Sequence, residues 1–232
     1  MDGTTSNPSC IAVDEESHGE VNDSITQPKT APWSRNGIAI FVIGPSSSGK
    51  STLCDALAAA LGIDSARYIK EVARSVMRQT GFTRAHTDTY EMQYAIMTAQ
   101  LAAEEQVLQM PFKEGIVMLS DRSAIDPIVY AATSQAPGAS ERERLLLGDA
   151  ALRAILPLYR RSLFVLLEPV TEWLTDDGVR SLEDPWKYNE VLTTMLHNLG
   201  IPFIQIGEET KDIGTRVELV RNCLQAASTQ LL

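Results

Sequence analysis

Cysteine and histidine are scarce in this sequence, three of each in 232 residues, and that scarcity removes several chemistries. Cys10, Cys54 and Cys223 are odd in number and far apart, without a C-x-x-C or Cys/His ligand spacing, so neither a disulfide framework nor a zinc site is indicated. They read as ordinary thiols. His18, His86 and His197 stand in no pattern that would hold a metal or activate a nucleophile. No stretch approaches the roughly 18 apolar residues of a spanning helix. The first residues lack the basic-then-apolar run of a secretory signal and are too acidic for a mitochondrial transit peptide. Positive charge is short as well: 20 Lys and Arg face 30 Asp and Glu, for a formal net charge of −10. That balance argues against a general nucleic-acid or anionic-membrane binder, which presents a basic footprint. The expectation is a cytoplasmic protein with a small-molecule substrate, no nucleic-acid partner and no stable membrane insertion.

What is present is a globular composition, 44% hydrophobic and 22% charged, enough to bury a core. Residues 1–36 are rich in Ser, Thr, Asn, Gly and Pro with scattered acids and have almost no apolar periodicity, so they are expected to be a disordered acidic tail. Residues 37–232 carry strand and helix signals in alternation. Gly37 to Ile43 is a continuous apolar run, as in a strand buried on both faces. Ser51 to Leu61 is a helix closed by Gly62, Arg67 to Ile69 a short strand, and Glu71 to Thr80 a helix stopped at Gly81. Thr89 to Met110 is a long helix whose stripe of Tyr90, Tyr94, Met97 and Leu101 reads as core. Ile116 to Leu119, Ser162 to Leu167 and Ile201 to Ile206 are further strands. Helices are expected over 127–133, 140–161, 185–199 and 213–227. Strands alternating with helices specify a parallel sheet covered on both faces.

Gly44-Pro45-Ser46-Ser47-Ser48-Gly49-Lys50-Ser51 matches G-x-x-x-x-G-K-[ST] and stands after a buried strand and before a helix, as the motif requires. Its glycines let backbone N–H groups face phosphate oxygens at the positive end of the helix, with Thr52 in the first turn. Lys50 is placed for the β- and γ-phosphates, and Ser51 for Mg2+. GTPase signatures are missing, since D-x-x-G and T/N-K-x-D do not occur, and no Leu-Ser-Gly-Gly-Gln transporter signature is present. About 196 residues leave no room for the helical lid domain of an oligomeric AAA-type motor. What remains is a small-molecule kinase using ATP and Mg2+.

The strand at 116–119 runs into Ser120-Asp121-Arg122-Ser123, which puts an acid at the C-terminal sheet edge, where open α/β folds bind ligands. Asp121 is a candidate for Mg2+ or for the proton of the attacking hydroxyl, and Arg122 for phosphate charge. Asp176-Asp177-Gly178-Val179-Arg180 suits a mobile lid near 173–183 that closes over the nucleotide and delivers the Arg180 cation. Glu71 is a second candidate base. Arg74, Gln100 and Asp126 are candidates for contacting the substrate.

Trp173 to Leu182, the P-loop and Tyr68 to Arg74 together resemble the nicotinamide-riboside kinase domain of NadR and its relatives, over about Ile38 to Leu224. The resemblance implies a P-loop kinase fold with a five-stranded parallel sheet, and ATP-dependent phosphorylation of a ribosyl 5′-hydroxyl. Two departures stand out. Ser120-Asp121-Arg122-Ser123 is closer to the (Glu/Asp)-Arg-Ser segment of deoxynucleoside kinases, and the adenylyltransferase motif His-x-Gly-His does not occur. Animal relatives in the broader NadR-like family bind GTP and phosphoinositides, so the resemblance also keeps open a non-catalytic, nucleotide-dependent regulatory protein.

Overall fold

The apolar run after Gly37 forms strand β1 (Ile38–Ile43), and its side chains alternate between two cores. Ala39, Phe41 and Ile43 point into one, Ile40 and Val42 into the other. A strand apolar on both faces can be stable only between helical layers. The computed structural model describes residues 37–112, 114–174 and 184–229. The expected tail, Arg180 and the expected lid apart from Trp173 and Leu174 lie outside them.

Five strands form one parallel sheet in the order β2-β3-β1-β4-β5, built from β1, β2 (Tyr68–Ile69), β3 (Ile116–Asp121), β4 (Leu163–Leu167) and β5 (Phe203–Ile206). Helices α1 (Lys50–Leu61) and α8 (Ile213–Thr229) cover the face of Ile40 and Val42. The opposite face receives α3 (Tyr90–Leu108), α4 (Asp126–Thr133), α5 (Ala139–Leu147), α6 (Ala150–Tyr159) and α7 (Pro185–Leu199). Helix α2 (Ala73–Thr80) packs on α3 through Ala73, Val76, Met92 and Ile96. Phe41 anchors the larger core, stacking on Phe164 at 4.6 Å with Tyr159 edge-on at 4.9 Å. Fully buried side chains of this size contribute about 1.5–3 kcal/mol each.

This is the five-stranded α/β architecture expected. Local differences have local causes. The helix expected over 140–161 is two helices, because Asp149 takes an extended backbone and its carboxylate accepts from the Ala151 and Leu152 N–H groups at 2.8 and 3.1 Å, starting α6 afresh. Asp149→Ala is expected to lower stability by about 1 kcal/mol, or roughly 2–4 °C in melting temperature for a domain of this size, with nucleotide affinity unchanged; calorimetric scanning and titration together check it. Tyr94 leaves the expected core stripe. It is 37% exposed and stacks on Tyr90 at 5.4 Å, while Met97 and Leu101 are buried.

The strand order makes β1 the switch point. The chain moves to β2 and β3 on one side of it and to β4 and β5 on the other, leaving a crevice at the C-terminal ends of β1 and β3. Register pairs Val42 with Asp121. The loop after β1 and the acid ending β3 are therefore neighbours.

Candidate active site

Residues 44–49 wrap the start of α1. Gly44 has φ 139°, and a Cβ there would collide with the Leu167 carbonyl oxygen of β4, so only glycine lets the loop leave the sheet at this point. Ser47 and Gly49 adopt left-handed conformations, φ 61° and 89°. Such turns form a concave run of N–H groups that suits an anion, with the N-terminus of the 12-residue α1 behind it. Lys50 is buried, its ammonium donating to the Pro45 carbonyl and, at 3.4 Å, lying beside Ser48 Oγ. Burial first, and the Arg122 cation second, pull the Lys50 ammonium down from 10.5 to about 7. A lysine held in that way is far better stabilised by a phosphate anion than by the loop alone.

Across the crevice, Ser51 Oγ donates to Asp121 Oδ2 at 2.5 Å. The other carboxylate oxygen, Asp121 Oδ1, is buried without a hydrogen-bond partner. Burial raises the Asp121 carboxyl above its usual range, while Arg122 and the Ser51 hydroxyl pull it back. An orphaned carboxylate oxygen beside an exposed hydroxyl fits a small hard cation, which takes oxygen ligands and keeps much of its water. Ser51 and Asp121 are the residues that could hold Mg2+.

The next residue takes a strained conformation. Arg122 has φ 86°, uncommon for a residue with a Cβ and of the kind that clusters at functional sites. Its N–H continues the ladder to the Val42 carbonyl at 2.9 Å, and its side chain turns back under the P-loop. Arg122 Nε donates to Glu71 at 3.0 Å, and Nη1 to Asp126 at 3.0 Å and towards the Gly44 carbonyl at 3.5 Å. The second Glu71 oxygen accepts from Arg74 Nε at 3.1 Å. Arg74, Glu71, Arg122 and Asp126 thus form an alternating chain of charges from the end of β2 to α4. Asp126 also accepts from the Tyr188 hydroxyl at 3.2 Å and from the Ser123 N–H at 2.9 Å.

Gln100 and Asp126, read as substrate contacts, are only 1% exposed, and their side chains turn to internal partners. The Gln100 amide donates to Glu104 at 2.8 Å and Ser120 Oγ at 3.0 Å. Arg216, which belongs to no sequence motif, is placed by α8 behind the P-loop and is 1% exposed. Its Nη1 donates to the Ser48 carbonyl at 2.9 Å and its Nε to the Thr210 carbonyl at 2.6 Å, with the Trp173 ring 4.9 Å from the guanidinium. Nothing local in the sequence ties it to the P-loop, because Ser48 lies 168 residues away.

Residues 39–214 match the family model for the AAA domain, and the chain belongs to that family. Among solved structures it resembles deoxyadenosine kinase from M. mycoides with bound dATP, with a TM-score of 0.61 and 16% identity over 81% of this chain and 100% of that one. It resembles NadR protein in complex with NR equally in fold, with a TM-score of 0.61 and 21% identity over 80% of this chain and 51% of that chain. Thymidylate kinase from Candida albicans follows at a TM-score of 0.55 and 15% identity, over 83% and 93% of the two chains. At these identities the likeness is one of fold, and this chain spans about half the length of the NadR chain. No curated protein is a significant match. Among the described residues no helix is long and apolar enough to cross a membrane.

Proposed function

We propose that the chain is a cytoplasmic phosphotransferase that moves the γ-phosphoryl group of ATP, with Mg2+, onto the hydroxyl of a small nucleoside-like metabolite. The observation that carries this reading is the Ser51–Asp121 pair at 2.5 Å with its orphaned Oδ1, set where the P-loop meets the end of β3. Phosphoryl transfer asks the protein mainly for positioning and charge, and both are provided. The N–H groups of residues 46–52 and the Lys50 ammonium hold the phosphates. Ser51 and Asp121 would hold Mg2+, which would supply positive charge against that of the phosphates. Arg122, fixed by Glu71 and Asp126, keeps positive potential beneath the transferring group, and Arg180, outside the described residues, brings a second cation from the lid. Glu71, paired with Arg122 and Arg74, and Asp121, engaged by Ser51, are the two candidate bases. Arg74, 56% exposed beside Glu71, is the candidate for contacting the acceptor.

Nicotinamide riboside is the first acceptor to try, because the resemblance over 173–182 points to it and the fold likeness to NadR supports it. Ribo- and deoxyribonucleosides come second, on the strength of Ser120 to Ser123 and the likeness to deoxyadenosine kinase. Incubation with MgATP and a nucleoside panel, read by mass spectrometry, should yield a monophosphate of at least one ribosyl compound. A panel without product, combined with tight MgATP or MgGTP binding, would replace the enzyme by a nucleotide-dependent regulatory protein.

A further inference from the structure

The turn that carries Asp121 is gripped from both sides by one carboxyl group. Glu104, on α3, is 0% exposed. One of its oxygens accepts from the Gln100 amide at 2.8 Å, and that same amide nitrogen donates to Ser120 Oγ at 3.0 Å and reaches the Arg122 carbonyl at 3.5 Å. Its other oxygen accepts from the Tyr159 hydroxyl at 2.8 Å, which in turn accepts the Ala124 N–H at 3.1 Å. One arm ends just before Asp121 and the other just after Ser123. Between them lies the strained Arg122, whose φ of 86° persists only where the surroundings over-determine it.

A buried acid is costly, and a core position on α3 would be more stable with an apolar side chain. We propose that Glu104 is a positioning residue for the turn that would bind the metal, holding residues 120–124 through Gln100 and Tyr159 so that Asp121 meets Ser51 in the geometry seen here and is placed to take a divalent cation. Glu104 touches neither nucleotide nor metal. The proposal rests on the Mg2+ role read for Ser51 and Asp121, not on the identity of the acceptor or on turnover. The groups facing the Glu104 carboxyl are Gln100 from its own helix and Tyr159 from α6, with the Asp126 charge of α4 acting on it from farther away.

The test is ATP binding with and without Mg2+, followed by titration calorimetry on the full chain. Removing both arms with Glu104→Leu should raise the Mg2+ concentration needed for half-maximal enhancement of ATP affinity by about tenfold, as for other residues that orient a ligand from behind. Affinity for ATP without Mg2+, carried by Lys50 and the P-loop, should stay within about twofold. Glu104→Gln, whose amide oxygen can accept from Gln100 while its N–H donates to the Tyr159 hydroxyl oxygen, keeps both contacts with the second one reversed and should behave as the wild type. Tyr159→Phe removes the Ala124 arm alone and should give a smaller change of the same kind, which keeps the test available if Glu104→Leu does not fold. Equal loss of affinity with and without Mg2+, or a Gln variant as impaired as the Leu variant, would overturn the proposal. A wild-type protein whose ATP affinity is indifferent to Mg2+ would defeat the metal reading itself, and the proposal with it.

Discussion

Lys50→Met is expected to weaken MgATP binding by roughly 2–5 kcal/mol, about thirtyfold or more, because it leaves the β- and γ-phosphates without their charge partner. The folded state should tolerate the change. This ammonium is buried and, among the described residues, its hydrogen-bond partners are the Pro45 carbonyl and Ser48, so an unbranched apolar side chain of similar length relieves a desolvated charge. A pH signature accompanies the loss. Burial and Arg122 hold Lys50 near 7 in the free protein, and phosphate anions must raise it on binding. Binding therefore takes up a proton above pH 7, and affinity should fall between pH 7 and 9 by up to about tenfold per unit. The Met variant carries the same titration of ATP but lacks this group, so the difference between the two slopes isolates Lys50. Calorimetry in two buffers of different ionisation heat reads the proton directly. A wild-type affinity that is flat over this range, or a variant that keeps the full slope, would remove Lys50 from the phosphate site.

Why the P-loop was legible and the network behind it was not follows from sequence distance. Residues 44–51 are contiguous, and their chemistry requires fixed spacing, so the strand before and the helix after could be placed from the sequence alone. Asp121 was reachable because it ends an apolar strand, and a parallel sheet brings strand ends together. By contrast, Arg216 meets Ser48 across 168 residues and Tyr159 meets Glu104 across 55. No periodicity announces such pairs. Glu104 looks like any polar residue of a long helix until α6 is seen to cover it. The two-residue β2 was overestimated for a related reason: Asp64 caps a short 3-10 turn at Ser65–Arg67 by accepting from the Ala66 N–H, and the strand starts only at Tyr68. Gln100, expected to contact the substrate, is buried against Glu104 and Ser120 instead. Its depth was not legible, since amphipathic spacing gives a face but not what stacks upon it.

The second large effect is on stability, and it separates the cost of Glu104 from its use. Burial raises the Glu104 carboxyl from 4.5 to about 8, against smaller pulls from Gln100 and Tyr159. The side chain is therefore neutral in the folded protein at pH 7 and ionised in the unfolded chain. The unfolded state then binds fewer protons than the folded one, so stability falls as pH rises from about 4.5 and levels off above about 8. Over that window the penalty is on the order of 5 kcal/mol. Glu104→Gln cannot ionise and should escape it. Near pH 5 the two proteins are expected to melt within a few degrees of each other, whereas at pH 8.5 the variant should melt roughly 10 °C higher. Urea midpoints measured from pH 5 to 9 would give the same divergence, with the wild-type curve descending and the variant flat. Parallel curves would mean that the carboxyl finds compensation in the fold and ionises freely. A gain in stability without loss of Mg2+ dependence is the combined result expected of this variant, because the amide oxygen keeps the Gln100 contact and its N–H can donate to the Tyr159 hydroxyl oxygen, while the charge that the folded chain cannot hold is removed.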